Sequence, residues 1–197
     1  MPRLTRASVL TAAVLAVSVL AVSACAGDDD AAIVAGAADM VDAADMVDAA
    51  DVKFAQMMIP HHAQAVEMAR MAERDGVSDD VAALAAAIRD AQQPEIDLMT
   101  AWLAEWGTEP DQHAAHMGHD MAGMMSQDDM AALDAATGAD FERMWLQMMV
   151  EHHRGAVTMA QQVLADGSDA RVLDLARAII AAQQREIDQM TQMLAQR

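Results

Sequence analysis

The chain contains a tandem repeat that strongly constrains its fold. A shift of 91 residues aligns residues 57–106 with residues 148–197 without a gap, and 25 of the 50 aligned positions are identical. The two copies open with MMIPHHAQAVEMA at 57–69 and MMVEHHRGAVTMA at 148–160. Because both copies are expected to fold into the same supersecondary unit, they should form two matching parts of one domain.

The sequence of each copy predicts two helices joined by a turn. The alanine-rich runs have high helix propensity, and no alternating β-branched stretch competes with them. Gly76 and Gly167 are suited to end the first helix of each copy, and Ser78 and Ser168 are suited to cap the second. The predicted helices span about 51–75, 79–106, 139–166 and 169–196. We therefore predict an all-α fold, an antiparallel four-helix bundle built from two tandem helical hairpins.

The predicted domain has three parts. They are repeat unit 51–106, linker 107–138 and repeat unit 139–197, which together make up residues 51–197. Within the linker, Ser126 is suited to cap a short helix at about 127–136. Pro60 and Pro94 occur only in the first copy. Because proline has no backbone N–H, Pro60 should either begin its helix or bend it just before the histidines.

Residues 1–24 predict a lipoprotein signal peptide. Two arginines precede an uncharged apolar run that is short for a membrane-spanning helix. Small residues then precede Cys25, the only cysteine, in the manner of a bacterial lipidation site. An ordinary signal peptide whose cleavage site includes a cysteine is the alternative. We expect an extracytoplasmic protein anchored to the outer face of the bacterial cell membrane through a lipid at Cys25, with residues 25–50 as an acidic tether.

Charge and methionine content narrow the range of partners. The formal net charge of −19 argues against nucleic-acid binding, because phosphate contacts need clustered lysine and arginine. The chain has 19 methionines. Methionine fills helical cores, but its thioether also binds soft cations such as Cu(I). Composition therefore leaves core packing and metal binding open.

The paired histidines fall on the apolar faces of the predicted helices. At 100 degrees per residue His61 lies near the centre of its face, and His62 lies at the border. The metal ligands predicted in the two copies are His61, His62, Met57, Met58, His152, His153, Met148 and Met149. Outer partners for these ligands are predicted on the following helices, namely Gln92, Glu95, Met99, Gln183, Glu186 and Met190. The alternative is a network without metal, in which His61 and His152 bond to these glutamate or glutamine side chains.

The linker segment HAAHMGHDMAGMM, residues 113–125, is the most specific metal signal in the chain. Its predicted ligands are His113, His116, Met117, His119, Met121, Met124 and Met125. Imidazole together with thioether suits copper, and glycines at 118 and 123 interrupt any helical period. The alternative is a loop that covers the helices with its methionines.

The motif M-M-I-x-H-H-x-x-A-V-x-M-A, followed by Gln-x-x-Glu-Ile-x-x-Met, resembles the bacterial domain-of-unknown-function family 305. The resemblance covers residues 51–197, and both copies carry the motif. It implies a ferritin-like helical bundle that is usually exported, with copper binding and copper tolerance in some members. It also implies that His61, His62, His152 and His153 are signature positions flanked by Met58 and Met149. The His/Met-rich linker is not part of the shared motif.

Our first functional hypothesis is an extracytoplasmic copper-binding protein that sequesters or passes on Cu(I). No catalytic nucleophile motif, glycine-rich phosphate loop or Glu-x-x-His sequence is present, so an enzyme is the weaker interpretation. The second hypothesis is a helical interaction module whose histidines are structural. A metal-dependent oxidase is the third.

Overall fold

The computed structural model describes residues 48–108 and 121–197, which form five helices and no strand. The helices are α1 (Ala49–Met71), α2 (Asp79–Glu105), α3 (Gln127–Ala135), α4 (Gly138–Asp166) and α5 (Ala170–Ala195). The prediction of an all-α fold is confirmed. None of these helices has the length and apolar character needed to cross a membrane.

The described residues belong to one compact unit, Val41–Arg197. A second unit, Met1–Met40, lies outside the described residues, together with the predicted signal peptide 1–24 and Cys25. The predicted tether 25–50 is described only from residue 48 onward, where Asp48 caps α1 by accepting a hydrogen bond from the backbone of Ala50.

Each copy of the repeat folds as a pair of helices. Helix α1 packs along α2, and α4 packs along α5. Helix α1 also contacts α4, and α3 lies against α4. Since the repeat aligns α1 with α4, the main contact between the two copies joins their two histidine-bearing helices.

Helix α1 ends earlier than the position of Gly76 predicts. It stops at Met71, and Gly76 lies in the following turn with a φ of +89°. In that turn the Arg74 guanidinium donates to the carbonyl oxygens of Leu133 and Asp134 and lies over the ring of Phe141. These contacts with distant residues compete with a last helical turn that propensity alone would favour.

The predicted caps are correct at two of three positions. Ser126 forms a reciprocal capping box with Asp129, and Ser78 is the N-cap residue of α2, although its side chain makes no capping bond. Ser168 is not a cap. Asp169 caps α5 instead, with its carboxylate accepting from the backbone N–H of Arg171.

Pro60 and Pro94 both lie inside continuous helices, α1 and α2. Pro60 therefore does not begin the histidine helix, which starts eleven positions earlier at Ala49. The missing N–H of each proline removes one helical hydrogen bond, and tertiary packing on both sides keeps the helix intact.

The buried apolar side chains form two clusters separated along the helices. One cluster takes the second half of α1, the first half of α2, the first half of α4 and the end of α5. The other contains side chains from the first half of α1, the end of α2, the second half of α4 and the first half of α5. On every long helix the break between the clusters falls at the polar residues of the repeat motif, so a polar layer crosses the core.

Two carboxylates join the copies at opposite ends of the helices. Asp51, fully buried at the start of α1, accepts from the backbone N–H groups of Ser168 (3.0 Å) and Asp169 (2.8 Å). Its repeat counterpart Glu142 accepts from the N–H of Ser78 at 2.7 Å. A Cβ atom at Gly167 would meet both the Asp51 carboxylate and the Val163 backbone oxygen, so this close approach favours glycine.

Asp51→Ala is expected to lower the free energy of unfolding by about 2 kcal/mol, because charge-assisted hydrogen bonds to two backbone amides are lost. Urea unfolding monitored by circular dichroism measures the change. Asp51→Asn is the matched control, since its amide oxygen can still accept and its loss should be smaller. An unchanged urea midpoint in Asp51→Ala would show that the carboxylate does not join the copies.

Candidate metal centre

The polar layer that separates the two apolar clusters comes from four helices. Its members are His61 and His62 on α1, Gln92 and Glu95 on α2, His152 and His153 on α4, and Gln183 and Glu186 on α5. Each residue has a repeat counterpart in the other copy, at the same level of the helices. Sequence analysis predicted all eight of these residues, and the structure brings them to one level of the fold.

The His61 and His152 rings meet at the centre of this layer. Their centroids are 3.8 Å apart with an angle of 37° between the ring planes, and both side chains are fully buried. Sequence reasoning could not establish this contact, because it joins residues from different copies. Packing of α1 against α4 brings the two rings together.

Both central rings are neutral at pH 7. Burial lowers the pKa of His61 to about 3, and the charge of His62 acts in the same direction, while the hydrogen bond to Ala122 partly opposes it. Burial, followed by the charge of His61, lowers the pKa of His152 well below 6.5. A neutral imidazole is the form that binds a metal ion, so these rings need not release a proton first.

The glutamates pair with the outer histidines, not with the central ones. His62 Nε2 lies 2.7 Å from Glu95 Oε2, and His153 Nε2 lies 2.7 Å from Glu186 Oε2. The network alternative placed His61 and His152 in these bonds, and that assignment is wrong. His62 and His153, predicted at the border of the apolar faces, are fully buried, and each is paired with a glutamate on α2 or α5.

The glutamate bonds determine which imidazole nitrogen is available. An ionised carboxylate only accepts hydrogen bonds, so Nε2 of His62 and of His153 must carry the proton. In a neutral ring Nδ1 is then an unprotonated donor of a lone pair, and neither Nδ1 has a partner among the described residues. Carboxylate–histidine pairs of this kind orient imidazole ligands toward metal ions in many proteins.

Unpaired polar atoms are concentrated in the polar layer. Among the described residues, eight of the ten buried side-chain atoms without a hydrogen-bond partner lie there. They are His61 Nδ1, His62 Nδ1, Gln92 Nε2, Gln92 Oε1, His152 Nδ1, His152 Nε2, His153 Nδ1 and Gln183 Oε1. Each such atom costs about 1–3 kcal/mol if nothing satisfies it, so together they would offset most or all of a typical stability of about 5–15 kcal/mol. The layer is therefore suited to bind water molecules or a metal ion.

Thioethers lie next to the histidines on the same helices. Met58 and Met149 are fully buried three positions before His61 and His152, the spacing that places side chains on one helix face. Met99 and Met190 are also fully buried. Met57 and Met148, the predicted ligands four positions before His61 and His152, are only half-buried.

A short strap, residues 121–125, covers one side of the polar layer. His61 Nε2 donates to the Ala122 carbonyl at 3.1 Å, and Met121 is buried. Gln64 fixes the end of the strap with two bonds, donating to the Met125 carbonyl and accepting from its N–H. The strap thus brings Met121, Met124 and Met125 of the predicted linker site close to the histidine level.

Sequence reasoning missed Gln64 and Gly155, which hold the strap against α1 and α4. They are counterparts in the repeat, one on each histidine helix. The strap passes so close to α4 that a Cβ atom at Gly155 would collide with the backbone of Ala122 and Gly123. The signal was present as a departure from the repeat, because glutamine in one copy aligns with glycine in the other, just before the matching pairs Ala65/Ala156 and Val66/Val157.

The remaining linker ligands, His113, His116, Met117 and His119, lie outside the described residues. Within residues 48–108 and 121–197, no three His, Cys, Asp or Glu side chains are arranged to hold one ion. A metal ion in the polar layer would therefore use at most two such groups from this part of the chain. Thioether or amide groups would complete its ligands, and that mixed donor set fits copper or silver better than a hard cation.

Comparison with known proteins agrees with the repeat motif. The family model for a domain of unknown function, DUF305, matches residues 51–194. No curated protein matches the chain. The fold is similar to a DUF305 fragment from Deinococcus radiodurans, with a TM-score of 0.70 and 34% identity over 77% of this chain and 99% of the other.

Two further solved structures are similar. A candidate secreted DUF305 protein from Streptomyces coelicolor has a TM-score of 0.69 and 33% identity over 75% of this chain and 93% of the other. CopM in a Cu(II)-bound form has a TM-score of 0.65 and 33% identity over 74% of this chain and 96% of the other. CopM structures with Cu(I), with silver and without metal are also similar. With a family match that covers most of its length, this chain belongs to the DUF305 family.

Proposed function

We propose that this protein binds copper, as Cu(I), and sequesters it or transfers it to a partner. The observation that carries the proposal is the buried polar layer, in which neutral imidazoles with unpaired nitrogens lie beside thioethers. Soft thioethers together with imidazole select copper and silver over calcium or magnesium. The similarity to CopM, which was crystallised with both oxidation states of copper and with silver, supports the same cargo.

His61 and His152 are the proposed central ligands. Both are neutral, fully buried and in ring contact, so one ion could be shared between the two copies. Met58 and Met149 are the thioethers best placed to join them, since each lies one helical turn away on the same face. The outer histidines would contribute through Nδ1, because Glu95 and Glu186 occupy Nε2.

The linker is the proposed capture site. Its ligands His113, His116, Met117 and His119 precede the strap, whose Met121 is already buried beside the polar layer. An ion bound by the linker could then pass to the Met121 thioether and on to the central histidines. The strap need not release His61, since the Ala122 carbonyl accepts the Nε2 proton and leaves Nδ1 free to bind an ion.

We also infer the architecture and location that such a role requires. Short turns join α1 to α2 and α4 to α5, which supports an antiparallel four-helix bundle of the ferritin-like type. The small residues before Cys25 support a lipid anchor, and the candidate secreted relative supports a place outside the cytoplasm.

A structural role for the histidines is the second candidate. It is favoured by the His62–Glu95 and His153–Glu186 bonds, each of which joins the two helices of one copy. In that case the polar layer would set the register of the helices, and the protein would act as a helical interaction module.

Titration of the purified protein with Cu(I) in competition with a chromophoric chelator tests the proposal. We expect at least one tightly bound ion per chain. His61→Gln combined with His152→Gln should weaken one site by at least about 100-fold, since loss of an outer partner alone typically costs 10–100-fold. Thr158→Ala, an exposed change on α4, is the matched control. Fewer than one bound ion per chain would reject copper binding.

A further inference from the structure

A groove lies between the start of α1 and the end of α4, and its volume is about 280 Å³. Its apolar wall includes Phe54, Met57, Met159 and Val163, and Lys53 and Gln162 lie at its rim. These residues are distinct from the central histidines and from the strap.

The internal repeat places an equivalent groove in the other half of the domain, and there the groove is occupied by other side chains. The shift of 91 residues maps Phe54 to Trp145 and Met57 to Met148 on α4, and maps Met159 to Met68 and Val163 to Ala72 on α1. In that half all four counterparts belong to, or pack against, an apolar cluster that also contains the fully buried Leu133 of α3. Helix α3 thus fills one groove, and no described element fills the other.

The position of α3 in the chain indicates what fills the open groove. Helix α3 ends at Ala135, just before α4 begins at Gly138, so it covers the start of the helix that follows it. The corresponding place before α1 belongs to residues 41–47, VDAADMV, which lie outside the described residues and lead directly to Asp48. We propose that this segment docks in the open groove through Val41, Met46 and Val47.

The charge at the rim of the groove supports segment 41–47 as its occupant. Lys53 is the only lysine in the chain, and within the described residues it has no hydrogen bond or ion pair. Segment 41–47 carries Asp42 and Asp45. On the filled side Arg74, which is not the repeat counterpart of Lys53, donates to the Leu133 and Asp134 carbonyls at the end of acidic helix α3. A cation therefore borders each groove, and each preceding segment is acidic.

Photo-cross-linking in the full chain tests the docking. The benzophenone amino acid p-benzoylphenylalanine replaces Gln162 at the groove rim. Because Gln162 is exposed, the replacement should not disturb the fold. The matched positive control places the same amino acid at Met71, the repeat counterpart, which packs against the cluster that contains Leu133. After illumination and proteolysis, mass spectrometry should identify cross-links from position 162 to residues 41–47 and from position 71 to residues 127–135.

Lys53→Glu should reduce the cross-link from position 162 severalfold, whereas Arg70→Glu, an exposed change on α1, should leave it unchanged. Cross-links from position 162 only to a second copy of the chain would overturn the proposal and make the groove a self-association surface. Absence of any cross-link from position 162, with the control at 71 successful, would also overturn it.

Discussion

Lowering the pH from 7.5 to 4.5 is expected to reduce the free energy of unfolding of the metal-free protein by about 3 kcal/mol through His61 alone. The pKa of His61 is 6.5 in the unfolded chain and about 3 in the folded protein. Between these values the unfolded chain binds a proton that the folded protein does not. Stability is therefore complete above pH 6.5 and falls by about 1.4 kcal/mol per pH unit below it.

His152 should add a loss in the same direction, because burial also lowers its pKa. Urea unfolding at a series of pH values, with a chelator present, measures the slope. His61→Gln combined with His152→Gln should flatten the slope in this window, where carboxyl groups with ordinary pKa values near 4 contribute little. An equally steep slope in the double variant would assign the acid sensitivity to other groups.

Saturation with Ag(I) should raise the free energy of unfolding by about 4 kcal/mol at a free concentration 1,000-fold above the dissociation constant. A ligand that binds only the folded state must stabilise that state, and burial of the central histidines ties binding to the fold. Silver shares the soft-ligand preference of Cu(I) and does not cycle between oxidation states under these conditions. Thermal or urea unfolding with and without Ag(I) measures the difference.

Two variants locate the stabilisation. The double variant His61→Gln and His152→Gln should lose most of it, whereas a variant with His113, His116 and His119 changed to glutamine should retain the part that comes from the polar layer. Identical stability with and without Ag(I) in the unmodified protein would instead favour the helical interaction module. Stabilisation lost only in the linker variant would place the dominant site in residues 113–119.

Features that depend on neighbours in sequence were predictable. The Ser126 cap is correct because its partner, Asp129, is three residues away. His61 and His152 were expected to be inward-facing because an apolar helical stripe surrounds them, and both are fully buried. The end of α1 was misplaced, because Arg74 binds a helix that lies about 60 residues further along the chain.

The sequence by itself determined that the chain folds as two similar helical pairs, with histidines, glutamines, glutamates and methionines recurring at equivalent positions in each. Periodicity and repetition can be recognised in the sequence itself, and neither depends on how the two helical pairs pack together. Only the tertiary structure decided that His61 touches His152, that the glutamates bond to His62 and His153, and that the strap rests on Gly155. Those contacts follow from the packing of α1 against α4, which depends on the complementary shapes of whole helix faces and cannot be derived from either copy alone.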